Sequence, residues 1–429
     1  MSVFQSFLVW LPGTLLLIYV ASIDLFPIEQ FLLSFFCACG LILSYVIQRI
    51  KKRLNKDHSL LSLARLSFMV IGGFVAIRYL IWRVQFSIPW NEDPFSLFCS
   101  LALLVAELMG VLLSVMGAFI NIHPLRREFL PVSLDDERLP TVDVLVPSYN
   151  ESSALLRTTL LAATNIEYPK RKLNVYLLDD GGTDEKCAQA GARGEEAKQR
   201  KQLLQQLSEE VGCYYLTRPN NHQAKAGNIN AALPHISGEI VVILDADHVP
   251  AIDFLEKTVG SIMHDDSVAI VQTPHFMLNR DPIEKNLKVI DQMPGEGEMF
   301  YTMNLRGMDN WNSGFFCGSG ALIRRSALDE IGGILTNTIV EDAETSLELL
   351  TRGYKTRYLH RPLLAGLSAE SLPSFIVQRT RWATGMMQLL RYRNPLFLKN
   401  RNYSALSVVR HIATLQKQSL TWFFCIFLF

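Results

Sequence analysis

Two stretches near the start of the chain, Phe7 to Ile23 and Phe31 to Ile47, contain no charged residue. Each is long enough, with its flanks, to cross a hydrocarbon layer of roughly 30 Å. Two more apolar stretches follow: Leu66 to Phe86, carrying Arg78 and Arg83 in its outer half, and Phe95 to Ile120, carrying only Glu107. Charges inside a membrane face a bundle interior or a polar cavity, so Arg78 and Glu107 either pair or line a path through the helices. A cleaved signal peptide fits poorly, because residues 1–6 lack a basic segment and a second span follows at once. Arg49, Lys51, Lys52, Arg53 and Lys56 lie between spans two and three, and Arg126 and Arg127 follow span four. Positive loops stay in the cytosol. Residues 1–124 therefore read as four transmembrane helices with a cytosolic N-terminus, and everything from about residue 125 hangs in the cytosol.

The rest of the composition narrows the function. Lys plus Arg equals Asp plus Glu at 41 each, so no global positive field exists to hold nucleic acid, and any anion site must be local. The charged fraction of 19% argues against a purely cytosolic protein. Seven scattered cysteines form neither a CxxC pair nor a zinc-like spacing and read as reduced thiols.

From Thr141 short β-rich runs alternate with helical stretches, the pattern of an α/β domain with a mostly parallel sheet. The expected strands are Val142 to Val146, Asn174 to Leu178, Cys213 to Thr217, Ile240 to Leu244, Val268 to Gln272, Ala321 to Ile323 and Lys355 to Leu359. Residues 184–210, strongly charged, read as a solvated helix. Past Ser374, apolar residues set among Arg379, Arg381, Arg391 and Arg393 suggest a basic amphipathic helix lying on the membrane face, within a segment 371–410. Residues 411–429 read as the start of a fifth transmembrane helix, cut short.

Acids at strand ends carry the chemistry. In an open α/β sheet the ligand sits outside the carboxyl ends of the strands. Asp179 and Asp180 follow one strand and precede Gly181 and Gly182, while Asp245-Ala246-Asp247 follows another. Two carboxylates spaced by one residue can hold a hard divalent cation that binds substrate phosphates. The plain reading of either motif is a polar turn; the two together favour a nucleotide-sugar site. Lys225, at a helix start, is suited to a diphosphate or is merely a surface lysine. Asp342 opens the helical run after Val340-Glu341 and is a helix cap or a general base.

This ordered set resembles the processive family 2 glycosyltransferases, most closely the catalytic subunits of bacterial cellulose synthases. The family motif D, DxD, TED, QxxRW is matched by Asp179, by Asp245 and Asp247, by Glu341 and Asp342, and by Gln378, Arg381 and Trp382. One position departs: Val340 stands where the family usually has Thr. Further similar stretches are Leu177 to Gly182, Ala224 to Asn228, Asp245 to Pro250, Gln272 to His275 and Phe315-Phe316-Cys317-Gly318-Ser319.

The resemblance implies a GT-A glycosyltransferase domain over residues 125–370 that polymerises glucose from UDP-glucose into β-1,4-glucan and passes it through the membrane. Asp179, Asp180 and Asp245 would contact UDP, and Asp247 would coordinate Mg2+, with Mn2+ the alternative. Asp342, beside Glu341, would deprotonate the acceptor hydroxyl in a single inverting displacement. Gln378, Arg381 and Trp382 would surround the diphosphate and the acceptor end, Trp382 being otherwise an interfacial anchor. Phe316 and Cys317 would line the channel entrance, although as a bare string they read as a buried strand. The implied setting is a bacterial inner membrane with lipid around the helices, a growing glucan as acceptor and a periplasmic partner subunit. The cyclic di-GMP site of the family lies in a region missing from this chain. A related synthase of chitin, hyaluronan, mannuronan or mixed-linkage glucan, or a truncated non-catalytic scaffold, are the competing expectations.

Overall fold

The computed structural model describes residues 16–54, 58–288 and 296–393. The chain divides into two units, one running to His123 and the other from Pro124 onward.

The first unit contains α1 (Pro27–Leu54), α2 (His58–Phe86) and α3 (Pro94–Ile120). Each contains a window long and apolar enough to cross a membrane, with mean hydropathy of 2.0, 1.6 and 2.3. The third starts sharply because Asp93 caps the backbone N–H groups of Phe95 and Ser96, and Pro94 occupies the first turn, where no donor is needed. Large apolar side chains such as Phe31, Phe98 and Leu103 point outward, as lipid-facing residues do. The earliest expected span lies outside the described residues except for 16–22, which are helical.

The expectation for the intramembrane charges needs correction. Glu107 pairs with Arg83 at 3.0 Å and accepts from the Tyr79 hydroxyl at 2.9 Å. Arg78 instead donates to Gln30 Oε1 and to the carbonyls of Ala21 and Ile23. Helical spacing explains the exchange: Tyr79 and Arg83, four apart, share the face toward α3, while Arg78 lies on the side of α1.

The second unit is built from β1 (Val142–Ser148), α4 (Ser153–Thr164), β2 (Leu173–Asp179), α5 (Ala192–Val211), β3 (Tyr214–Leu216), α6 (Ala224–Ala232), β4 (Ile240–Ile243), β5 (Val249–Pro250), α7 (Phe254–Met263), β6 (Val268–Gln272), β7 (His275–Met277), β8 (Ala321–Arg324), α8 (Glu341–Thr351), β9 (Lys355–Tyr358), β10 (Leu364–Gly366) and α9 (Leu372–Tyr392). Seven strands form one sheet in the order β3-β2-β1-β4-β8-β6-β9, parallel except for β8, which runs against both neighbours. All seven expected strands are present in it. Alternation along β1 divides the core: Val142, Val144 and Val146 pack with Leu156 and Leu160 of α4 and Leu204 of α5. Leu145 faces the other way, with Ile229 and Ala232 of α6. The α5 helix buries Ala197, Leu204 and Leu207 and turns its charged side to solvent.

A second sheet, β5-β10-β7, has no counterpart in the sequence reading. Its strands are two or three residues long, too short to show a period, and they pair segments far apart in the chain. It lies directly after the residues that matter: β5 begins two residues beyond Asp247, and β7 begins three residues beyond β6.

Candidate active site

Parallel pairing places the ends of β2, β1 and β4 side by side, with Asp179 opposite Ser148 and Ile243 opposite Leu145. The acids following β2 and β4 therefore share one sheet edge, separated laterally by β1. Asp179 is fully buried. Its Oδ1 accepts from the Gly181 N–H at 2.9 Å and from Arg200 Nε at 3.3 Å, and its Oδ2 accepts from the Tyr215 hydroxyl at 2.9 Å. A Cβ on Gly182 would stand 2.6 Å from Asp179 Oδ2, so the turn must be glycine for the carboxylate to fold beneath it.

Asp180, expected to touch substrate, is held by an arginine in the structure. Both its oxygens are taken by Arg218 in a buried fork at 2.6 and 2.7 Å. The same guanidinium donates to the carbonyls of His222 and Ala224 at 2.7 and 2.9 Å. Gln223 and Ala224 adopt left-handed backbone with φ of 62° and 44°, unusual for side-chain-bearing residues. Asp180 and Arg218 thus pin a strained turn whose next residue is Lys225.

Lys225, near the start of α6, donates to Asp245 Oδ1 at 2.5 Å and to the Gly318 carbonyl at 2.6 Å. Burial favours its neutral form, but Asp245, Glu341 and Asp342 outweigh that and keep its pKa above the ordinary lysine value. Asp245 is pulled the other way: burial would raise its pKa, yet Lys225 and His248 hold it below the usual carboxylate range. Asp247 stays above that range, through burial and despite His248, with the Asp245 charge adding to the rise. Asp245, Asp247 and His248 each offer a ligand atom within 4.8 Å of the others.

The residues fit a divalent ion. Hard carboxylate oxygens are the donors such ions prefer, and an acid kept protonation-prone by burial and a like-charged neighbour is what a cation would relieve. His248 Nδ1 already lies 2.7 Å from Ser319 Oγ, so the carboxylates would be the principal donors.

Ser319 organises this end of the sheet. Its hydroxyl accepts from the Asp245 N–H at 2.9 Å, and its carbonyl lies 2.8 Å from both Gln272 Nε2 and His275 Nε2. The His275 ring lies 4.7 Å from that of His248, and burial, with the His248 charge next, drives its pKa down to about 3.

Asp342 comes from the first turn of α8. Oδ1 accepts from the Ala343 N–H at 2.8 Å. Its Oδ2 lies 3.3 Å from the point where a Cβ on Gly318 would stand, and Lys225 Nζ lies 3.8 Å from that point. One oxygen thus ties down the helix start while the other faces Gly318 and the Lys225–Asp245 pair. Burial, then the neighbouring Glu341 charge, pushes its pKa up to about 7.

The departure at Val340 has a physical reason. Val340 is buried in an apolar cluster with Ala343, Leu347, Met386 and Leu389, and a Cβ on Gly385 would stand 2.5 Å from its Cγ1. The side chain at 340 therefore faces α9, and no hydroxyl is needed there to present the acids.

Among the expected acceptor-side residues, Phe316 is corrected: it is 1% exposed and packs in the core with Ile270 and Ile323, its N–H donating to Ser346. Cys317 is half-buried beside it, its N–H donating to Gln272 Oε1 at 2.9 Å, and burial followed by the Asp342 charge raises its thiol well above the ordinary pKa. Gln378, Arg381 and Trp382 lie on α9, within two turns of the contact with Val340. Arg379 donates to Gln378 Oε1 at 2.7 Å and lies 4.4 Å from the rings of Phe375 and Trp382. Arg381 is exposed, and Trp382 is 36% exposed.

Sequence reasoning gave no role to Arg200, Arg218, Ser319 or His248, although Ser319 and His248 stand within stretches that carry the family resemblance. His248 also had a local signal, by following the DxD directly. The others act on residues 21 to 74 positions away, as in the pairs Arg200–Asp179 and Ser319–Asp245.

Residues 143–332 match the family model Glycosyl transferase family 2, and residues 240–429 match Glycosyl transferase family group 2. The chain is 39% identical over 387 residues to the cellulose synthase catalytic subunit [UDP-forming] of Xanthomonas axonopodis pv. citri, covering 90% of this chain and 49% of that one. It is 43% identical over 328 residues to cellulose synthase 2 of Novacetimonas hansenii, covering 76% of this chain and 19% of the relative. The chain thus spans about half the length, or less, of these relatives. Among solved structures, a mannosyltransferase of Pyrobaculum calidifontis in complex with GDP-Man and Mn2+ matches with a TM-score of 0.51 at 20% identity, over 75% of this chain and 84% of that one. That likeness is one of fold, and the fold is of the GT-A type.

Proposed function

We propose, for a chain that carries a family 2 glycosyltransferase domain, that it is a processive inverting glycosyltransferase making β-1,4-glucan from UDP-glucose. The observation that carries this reading is the gathering of Lys225, Asp245 and Asp342 around Gly318, with Asp247 beside Asp245. Asp245 and Asp247 would hold a divalent ion, Mg2+ or Mn2+, which would supply charge stabilisation to the departing diphosphate. Lys225 adds a monopositive donor on the same side. Asp342 takes the proton of the attacking acceptor hydroxyl, and its pKa of about 7 suits a base at neutral pH. Asp180 and Arg218 position the Lys225 turn, and Asp179 braces the glycine turn under the nucleotide. Exposed Trp382 offers a flat face to the acceptor sugar, and Gln378 and Arg381 complete that side.

Glucose as the donor sugar follows from the names of the relatives, which are cellulose synthases. The three apolar helices support an integral membrane protein; the bacterial inner membrane follows from the bacterial relatives, and the basic residues Arg49 to Lys56 between two helices favour a catalytic domain in the cytosol. Export of the glucan past those helices, to a periplasmic partner subunit, completes the reading.

The test is UDP release from UDP-glucose by the full chain in membranes with Mg2+, together with recovery of a cellulase-sensitive polymer. EDTA should abolish both, and Mg2+ or Mn2+ should restore them. Asp342→Asn should bind UDP and release none. Preference for UDP-N-acetylglucosamine, or glucose release without polymer, would overturn the assignment.

A further inference from the structure

Lys225 occupies the position of a cation. Its ammonium is shared between Asp245 Oδ1 and the Gly318 carbonyl, and the charges of Glu341 and Asp342 reach it as well. Asp245 is also one of the three residues able to hold a divalent ion. One carboxylate is therefore claimed by two cations, one permanent and one exchangeable. The rest of its surroundings are fixed: the Asp245 N–H rests on Ser319 Oγ, and Oδ2 lies 3.6 Å from His248 Nδ1.

We propose that Lys225 is a resident counter-ion of the metal site, which makes divalent-ion binding and nucleotide-diphosphate binding depend on each other. Without a diphosphate the ammonium stays on Asp245, where it neutralises the carboxylate and repels an incoming divalent ion. A diphosphate gives the ammonium a second anionic partner, and Asp245 becomes free for the metal. The flexible four-carbon stem of lysine allows that transfer, and the turn pinned by Arg218 keeps its root in place. This inference deepens the donor-site reading above and rests on it.

The two roles open to this residue have opposite signs. If Lys225 only braces Asp245, removing it loosens the acid and weakens metal binding. If it is a counter-ion, removing its charge strengthens binding of the metal alone. Repulsion between a divalent and a monovalent charge about 5 Å apart, even screened nearly as in water, corresponds to about a tenfold effect or more.

The experiment titrates Mn2+ into the full chain in detergent, with and without UDP, and reads free Mn2+ by its electron paramagnetic resonance signal. The parent is compared with Lys225→Gln and Lys225→Met, two neutral replacements of different shape, and with Lys225→Arg. The expected result is weak Mn2+ binding by the parent that tightens with UDP. Both neutral variants should bind Mn2+ alone about tenfold more tightly and gain less from UDP, and Lys225→Arg should follow the parent. Neutral variants that fold and bind Mn2+ no more tightly than the parent overturn the counter-ion role, while UDP still tightening Mn2+ on the parent leaves the donor site standing. A parent whose Mn2+ binding ignores UDP overturns the donor site and the inference together.

Discussion

Replacing Arg218 with methionine should cost far more than a surface ion pair, and the structure says why. Arg218 and Asp180 are both under a tenth exposed and joined by two charge-assisted hydrogen bonds at 2.6 and 2.7 Å. Methionine preserves much of the volume but leaves a buried carboxylate without its partner, a loss of about 3–5 kcal/mol. The carbonyls of His222 and Ala224 lose donors too, but both residues are exposed, so water replaces those bonds at little cost. For a domain of this size that is a fall in Tm of roughly 6–20 °C, readable by near-UV circular dichroism of the purified chain in detergent. Asp180→Asn in the same background removes the stranded charge and should restore part of the loss, giving a coupling of about 2 kcal/mol or more in a double-mutant cycle. The turn should relax at the same time, so UDP affinity falls more than stability alone would explain. A Tm within about 2 °C of the parent, or strictly additive single effects, would refute the idea that this pair holds the Lys225 turn.

Further outcomes follow from Asp342 and from the packing of α8 on α9. Asp342 has a folded pKa of about 7 against an ordinary 3.8, so between those values the folded chain holds a proton that the unfolded chain has lost. Its stability contribution is therefore fullest below the ordinary value and is lost as pH rises through about 7, while the basic form that the proposed transfer requires appears over the same rise. UDP release should climb from pH 6 to pH 8, and the Tm advantage of Asp342→Asn over the parent should widen from pH 5 to pH 8; a flat gap would sink the burial argument. Val340→Thr buries a hydroxyl in the apolar cluster with Met386 and Leu389, so it should lower stability by about 1–3 kcal/mol, read from Tm, and leave transfer in place. Gly385→Val, driven against Val340 Cγ1, should cost about 1–3 kcal/mol and impair transfer, with Val340→Ala restoring part of both; a harmless Gly385→Val would disprove close packing of α9 on α8.

Legibility differed by interaction range. Five strands of the large sheet, β1, β2, β4, β6 and β8, could be read because β-branched and aliphatic residues dominate them, while β3 is mainly aromatic and β9 mixed; the structure moves the strand ends by only a residue or two, as with Ala321–Arg324 against an expected Ala321 to Ile323. The antiparallel sense of β8 could not be read, since strand direction depends on the path of the chain between strands. Phe316 was misjudged because an aromatic next to Cys317 and Gly318 reads equally well as a ligand contact or as core. The arginine fork on Asp180 could not be read either: an exposed strand-end acid and one held in such a fork have the same letter. Arg83, rather than Arg78, proved to be the partner of Glu107 because the choice turns on helix facing across two helices.

What the sequence determined by itself was the inventory: apolar runs long enough for a membrane, an alternating α/β pattern, and acids stationed at strand ends. These follow from local chemistry, since hydrophobic period and turn residues act within a few positions of one another. Which partner each acid takes was decided only by tertiary structure. Asp179 and Asp180 are saturated by Arg200, Tyr215 and Arg218, whereas Asp245 and Asp342 are left facing Lys225 and Gly318. Hydrogen-bond partners compete for a carboxylate by position in space, and that position exists only once the sheet has brought distant segments to one edge.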